Sequence, residues 1–185
     1  MFVVIVDNAV KFSQDNSKVY ITIEETDHIR VSIRDEGIGI TEEELYHYFQ
    51  EPIEALSRKH KCTTDDMKER LKRQYDGYHF SEDLTDIYNP FSILNAFAKM
   101  RIADYWFATG TPTYLIRLLN HTQENLNELT GKYYDPSEFI DYKADMEKPL
   151  PMIYQSGYLT IKDCDIDMNT YLLDFPNNEV KKGFV

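Results

Sequence analysis

The chain has 185 residues, of which 42% are hydrophobic and 28% are charged, and its formal net charge is −12 at pH 7. That length supports one domain with a substantial core or two small ones. The negative charge repels phosphate backbones and anionic membranes, so it argues against nonspecific binding of nucleic acid or lipid. Cys62 and Cys164 lie far apart and outside metal-ligand spacing, which predicts reduced thiols in a cytoplasmic protein with no membrane span.

The first forty residues predict a helix followed by a β-hairpin. Residues 2–12 place apolar side chains at three- and four-residue spacing, which is typical of one buried helix face. Residues 19–24 and 29–34 alternate apolar and polar side chains on either side of a short turn. We therefore expect a two-stranded hairpin with one buried face, covered by the helix.

Two short motifs in this segment resemble a known nucleotide-binding family. The sequence DNAVKFS at residues 7–13 resembles the N box of the ATP-binding domain of sensor histidine kinases, which belong to the GHKL ATPase superfamily. The sequence DEGIGI at residues 35–40 is similar to the G1 box of the same domain. Residues 1–40 are thus predicted to be a partial domain of this type.

The resemblance implies a role for individual residues and implies ATP and Mg²⁺ as cofactors. Asn8 would ligate Mg²⁺, Lys11 would meet a phosphate, and Asp35 would accept a hydrogen bond from the adenine amino group. An amide oxygen can coordinate Mg²⁺ beside phosphates, and a carboxylate can accept a hydrogen bond from an exocyclic amino group. Gly37 and Gly39 would let the backbone approach the nucleotide closely.

The segment also departs from the kinase pattern. Val4 stands where these kinases usually carry a polar residue, and no later glycine-rich box or ATP lid follows. We therefore expect no kinase activity and treat ATP binding as the alternative function.

From residue 41 onwards the sequence predicts mainly helices. Thr41 and Glu44 form a capping box for a helix that runs towards Ala55 or Lys59, with Pro52 interrupting it. Asn89 with Pro90 predicts another helix start. Further helices are expected from residue 63 or 64 to the turn at 77, and over residues 111–119, 135–142 and 150–156.

The C-terminal part has the outline of a winged helix. After the helix at 150–156, strands are expected at residues 158–162 and 170–175, around an acidic loop at 163–169. Residues 149–185 carry three lysines against five carboxylates, a net charge of −2. Because a wing that reads DNA is usually basic, this charge disfavours DNA and favours a contact with protein.

Residues 39–185 resemble the C-terminal lid and winged-helix part of bacterial AAA-ATPase-like proteins, P-loop proteins commonly followed by a PD-(D/E)XK nuclease-like domain. The matching motifs are YDGYHF at 75–80, YNPFS at 88–92, YWFATGTP at 105–112, QSGYLTI at 155–161 and FPNNEV at 175–180. No GxxxxGK[ST] sequence is present, so the phosphate-binding loop of that family is missing.

Three other groups of polar residues invite a functional interpretation. Asp174, Glu179 and Lys181 have nuclease-like chemistry, but Glu179 opens a predicted helix, so we expect chance. His79 has carboxylates nearby at Asp83 and Asp86 but no second histidine, which favours a turn histidine satisfied by a carboxylate over a metal site. The basic run at residues 68–73 is expected to be a solvated helix face.

The predicted fold class is α+β, mostly α. We expect a histidine-kinase-type fragment at residues 1–40, a helical lid-like region at 41–110 and a winged-helix-like region at 111–185. The function predicted first is a truncated AAA-ATPase-like protein acting as a non-catalytic regulatory or interaction module. The alternative is an ATP-binding protein that uses the N-box and G1-box residues. We expect a protein partner or self-association, and no nucleic acid.

Overall fold

A computed structural model of the chain describes residues 18–25, 29–34, 39–79, 82–106, 126–140 and 149–183. These residues form helices and three small antiparallel sheets, which confirms the α+β class. The predicted N-terminal helix, the predicted helix at 111–119 and most of the motif at 105–112 lie outside the described residues.

The predicted hairpin is present. Strands β1 (Tyr20–Glu25) and β2 (Ile29–Arg34) pair antiparallel, with Ile21 opposite Ile33 and Ile23 opposite Val31. The side chains of Ile21 and Ile23 are 54% and 70% exposed, so the prediction of a buried apolar face is wrong for β1. Among the described residues, both hydrophobic cores are built from positions at or after Ile40.

A helical group follows the hairpin. Its elements are β3 (Ile40–Thr41), α1 (Glu42–Tyr48), α2 (Gln50–His60), α3 (Thr64–Tyr75), β4 (Ile87–Tyr88) and α4 (Pro90–Lys99). Strands β3 and β4 pair antiparallel and bring the start and the middle of this group together.

Local capping explains where these helices begin. Thr41 accepts a hydrogen bond from the Glu44 N–H, and the Glu44 carboxylate bonds back to Thr41, which confirms the predicted capping box. Thr63 and Asp66 make the same reciprocal pair before α3. The break between α1 and α2 falls at Phe49, so Pro52 lies in the first turn of α2. Backbone N–H groups in the first turn have no acceptor within the helix, so the N–H that proline lacks costs no hydrogen bond.

The first core lies among these helices. Helices α1 to α4, strand β4 and the segment after α4 all contribute to it. Its members are Leu45, Ile53, Leu56, Met67, Leu71, Tyr75, Tyr88, Ile93, Ala96, Phe97 and Tyr105. The Tyr75 hydroxyl donates to the Ala103 carbonyl at 2.8 Å and accepts from the Ala103 N–H at 2.9 Å. These two bonds hold the chain after α4 against the end of α3.

The C-terminal group is built on a three-stranded antiparallel sheet. Its elements are α5 (Leu126–Leu129), β5 (Lys132–Tyr134), α6 (Pro136–Phe139), α7 (Leu150–Gln155), β6 (Thr160–Asp165), β7 (Thr170–Asp174) and α8 (Asn178–Lys182). The strand order is β5-β7-β6, so β7 is central. Strand β6 begins two residues later than predicted, and α6 ends at Phe139.

A second core fills the space under this sheet. Its aromatic members include Trp106, Phe139, Tyr158 and Phe175, and the Trp106 and Tyr158 rings lie 5.0 Å apart. Phe91 packs against both cores. The two groups are therefore in contact, while the division at residue 110 stays a prediction.

The cap before α3 offers a matched pair of threonines. We expect Thr63→Ala to lower the free energy of unfolding by about 1 kcal/mol, because the Asp66 N–H loses its acceptor. Thr64→Ala, one residue further on, should change it by less than about 0.5 kcal/mol. Urea denaturation measures both, and equal effects would show that the cap is not the cause.

Candidate functional site

Four of the five predicted nucleotide-site residues lie outside the described part of the chain. These are Asn8, Lys11, Asp35 and Gly37, and their roles stay predictions. Their donor types, an amide oxygen, an ammonium and a carboxylate, fit Mg²⁺-ATP.

Gly39 is described, and its surroundings are protein. A Cβ atom at this position would lie 1.8 Å from Cγ2 of Ile87, so the close approach of the chain before β3 to β4 requires glycine. Packing thus explains Gly39 without a ligand, and its contact with a nucleotide stays a prediction.

A polar cluster lies between the two cores, which we call the polar junction: Tyr78, Asn89, Ser92, Trp106, Asn177 and Glu179. Asn89 caps α4 by accepting from the Ser92 N–H, and Asn177 caps α8 by accepting from the Val180 N–H. The side-chain amides of both asparagines lie against the Tyr78 hydroxyl. The starts of α4 and α8 therefore both lie near the side chain of Tyr78.

Glu179 is the charged member of the polar junction, and its side chain has no exposed surface. Its Oε2 accepts from the Ser92 hydroxyl at 2.7 Å, and its Oε1 accepts from the backbone N–H of Trp106 at 2.8 Å. Burial raises the pKa of Glu179 to about 7, although both hydrogen bonds oppose this shift. The carboxylate is used to hold α8 against α4, which supports chance as the explanation of the nuclease-like group.

A cleft of about 310 Å³ opens beside this junction, between the end of α3 and the start of α8. Lys72, Arg73 and Lys181 are its cationic lining residues, and the carboxylates of Asp76, Asp86 and Asp174 also line it. It therefore presents both signs of charge to a ligand.

Asp76 is the unusual residue of the cleft. Its side chain is 3% exposed, and the backbone N–H of Gly77 is a donor to its carboxylate. Burial raises the pKa of Asp76 to about 6, and the neighbouring charge of Asp86 adds to the shift while Lys72 opposes it. Asp76 also follows the last residue of α3, where the helix dipole disfavours a negative charge.

Lys162, on β6, joins two residues that line the cleft, Gly77 and Pro176. Its ammonium donates to the Gly77 carbonyl at 2.6 Å and to the Pro176 carbonyl at 3.0 Å. Burial lowers the pKa of Lys162, and the carboxylates of Asp86 and Asp174 oppose that shift. Gly77 has a φ of 92°, and a Cβ there would lie 2.4 Å from the Pro176 carbonyl oxygen, so glycine is required.

His79 has the role that the sequence favoured. Its Nε2 lies 2.7 Å from Asp86 Oδ1, and its Nδ1 lies 2.6 Å from the Ile161 carbonyl oxygen. The predicted contact with a carboxylate is confirmed. Within the part of the chain that the structure describes, no group of three His, Cys, Asp or Glu residues is placed to hold a metal ion.

The basic run on α3 is only partly a solvated face. Arg70 and Arg73 are exposed as predicted. Lys72, however, pairs with Glu42 at 3.1 Å and lies 3.8 Å from Asp86. Lys68 Nζ lies 4.4 Å from the centroid of the Tyr46 ring, in a cation–π contact.

Asp76 and Lys162 were not singled out from the sequence. The sequence did point to Asp76, because it is an acidic residue directly after a predicted helix, where the helix dipole disfavours a negative charge. Lys162 had none, since its contact with the Gly77 carbonyl joins positions 85 residues apart.

Comparison with known proteins supports the N-terminal resemblance. Residues 1–77 match the family model described as histidine kinase-, DNA gyrase B- and HSP90-like ATPase. The matched segment is less than half of the chain, and it extends past the two predicted boxes to the end of α3.

One curated relative is the "Uncharacterized protein in vnfD 5'region" of Azotobacter chroococcum mcd 1, which is 28% identical over 145 residues. The match covers 77% of this chain, so it continues beyond residue 77, but the chain spans only about a quarter (26%) of the length of that relative. No solved structure matches the chain. No described helix has the length and apolar character needed to cross a membrane.

The raised pKa of Glu179 predicts a pH-dependent stability. The folded protein binds more protons than the unfolded chain between the ordinary pKa of 4.5 and about 7, so stability falls as pH rises through this window. We expect a loss of about 3 kcal/mol from this group.

Glu179→Gln should make the free energy of unfolding less dependent on pH over that range, while Asp167→Asn, at an exposed carboxylate, should leave the slope unchanged. Urea denaturation at several pH values between 5 and 7.5 measures this. An unchanged slope in Glu179→Gln would contradict the assignment.

Proposed function

We propose that the N-terminal segment of this protein binds ATP with Mg²⁺. The observation that carries this proposal is the match of residues 1–77 to a family of ATPases, which includes the N-box and G1-box motifs. Domains of this family bind ATP, usually with Mg²⁺. Asn8 would ligate the metal, Lys11 would neutralise a phosphate, and Asp35 would accept from the adenine amino group.

The residues of this proposed site would bind and orient the nucleotide. A buried carboxylate that accepts from an amino group discriminates against a base that lacks the donor. Gly37 and Gly39 would leave space for the backbone near the ligand. Bound Mg²⁺-ATP would supply a phosphoryl group activated by the metal.

Titration of the purified chain with a fluorescent ATP analogue tests this proposal. We expect saturable binding that weakens at least 10-fold without Mg²⁺ and at least 10-fold in Asp35→Asn, because a neutral amide replaces the carboxylate that accepts from the adenine amino group. Asp27→Asn, at a position outside both motifs, is the matched control and should bind normally. Absence of binding to the unmutated chain would contradict the proposal.

The helical and C-terminal groups favour a second function. We propose that residues 39–185 are a non-catalytic interaction module of the AAA-ATPase-like type, with a winged-helix-like C-terminal part. The strand order β5-β7-β6, with α5 before β5 and α6 and α7 before β6, supports the winged-helix proposal. The described residues of the motifs that carry the AAA-ATPase-like resemblance are largely buried in the cores and the polar junction, which supports a structural role for them.

The loop between β6 and β7 favours a protein over DNA as the partner of this part. Ile166 and Met168 at its tip are 84% and 70% exposed, and carboxylates alternate with them. DNA binding requires Lys or Arg side chains near the phosphates, and this loop has no Lys or Arg.

We further propose that the partner includes a second copy of this chain, joined through the hairpin. Among the described residues, β1 and β2 pair only with each other, and Ile21 and Ile23 are exposed on one face of β1. Pairing between two copies would cover this apolar surface.

Light scattering at several protein concentrations tests the self-association. We expect Ile23→Lys to raise the concentration needed for a dimer by at least 10-fold, because a charge would be buried in the contact. Ile166→Lys, at an exposed apolar position between β6 and β7, should have no effect. A protein that stays monomeric at all concentrations would contradict the proposed self-association.

A further inference from the structure

Glu179 is a buried carboxyl group with no cation beside it. Its two contacts are with the Ser92 hydroxyl on α4 and with the backbone N–H of Trp106, and both are neutral donors. No Lys or Arg among the described residues forms an ion pair with it. An ionised Glu179 therefore keeps its charge in an apolar environment, which is the costly state of a buried carboxyl group.

The other titratable groups that face Glu179 in the described part of the chain come from the elements packed against α8, and none of them is cationic. They are Asp104, Tyr105, Tyr75 and Tyr78. The negative charge of Asp104 adds to the cost of ionising Glu179. On α8 itself, Lys181 is exposed and Lys182 donates to Gln74 at 3.2 Å, so neither lysine offsets that charge.

Helix α8 is short, so its place in the fold depends on how it packs. It has five residues, and a helix of that length is unstable without its packing. Asn177 caps its start, and Val180 lies in the second core with no exposed surface. Separation of so small an element from its neighbours costs less than unfolding of the whole chain.

We propose that α8 is a pH-sensitive latch between the helical and C-terminal groups. When Glu179 is protonated, α8 lies against α4, because a neutral carboxyl group can accept from Trp106 and donate to the Ser92 hydroxyl. When Glu179 is ionised, α8 separates from α4 and the charge reaches water. The latch involves no residue of the proposed ATP site, so the two proposals can fail separately.

The direction of the pH dependence follows from the two states of the carboxyl group. Burial raises the pKa of Glu179 to about 7 in the docked helix, and the ordinary value in water is 4.5. The open form is therefore favoured as pH rises between these two values, by about 10-fold for each pH unit. Above pH 7 the carboxyl group is ionised in both states, so the effect levels off.

Hydrogen exchange of single backbone amides in the full chain, followed by NMR, tests the latch. The probes are the N–H groups of Val180 and Trp106, which bond to Asn177 and to Glu179 respectively. Protection of an amide is its slowing relative to an unfolded peptide at the same pH. We expect the protection of both amides to fall at least 10-fold between pH 5 and pH 7.5.

Two variants show whether Glu179 is the group that titrates. Glu179→Gln keeps the shape and both contacts, so the protection should stay within about 3-fold over the same pH range. Asp167→Asn, at an exposed carboxylate between β6 and β7, should keep the pH dependence of the unmutated chain. The proposal is overturned if protection in the unmutated chain does not fall, or if it falls equally in Glu179→Gln.

A low concentration of urea separates the latch from global unfolding and needs no variant. The amide of Leu71, in the first core, should lose about 5-fold or more of its protection in about 1 M urea, since global unfolding exposes a large surface. Opening of α8 exposes little surface, so protection of Val180 should change less than about 2-fold. An equal loss at both amides would contradict the latch, because α8 would then separate only when the whole chain unfolds.

Discussion

The arrangement of the helical and C-terminal groups depends on one buried carboxylate. Glu179 accepts from Ser92, 87 residues away, and from the Trp106 backbone, 73 residues away. A buried carboxylate with two donors stabilises a fold only while both donors stay in place, because losing either leaves a charged oxygen without a partner. The position of α8 relative to α4 is thereby fixed, and with it one wall of the cleft.

Lys162 fixes the other dimension of the cleft. Its ammonium joins the carbonyls of Gly77 and Pro176, one at the end of α3 and one before α8. Its stem lies on β6, so the sheet of the C-terminal group supports the contact between the two walls.

The sequence predicted what depends on neighbouring residues. The caps at Thr41, Thr63 and Asn89 act over three positions, and each helix begins where its cap indicated. The hairpin was predicted because its alternation and turn are local. Burial of Ile23 was predicted wrongly, since alternation alone does not show what covers a face. The cleft could not be predicted, because Asp76 and Lys181 come together only through packing between α3 and α8.

Helix α3 lies where the segment matched by the ATPase family model meets the C-terminal group. It is the last element within the segment matched by the ATPase family model, yet it packs in the first core and ends at the cleft. Lys72 on α3 also pairs with Glu42, at the start of α1, directly after the strand that follows the G1-box motif. Both side chains of this ion pair are partly exposed, so the pair adds little to the stability of the fold. The packing of α3 in the first core is therefore what holds the helix in place.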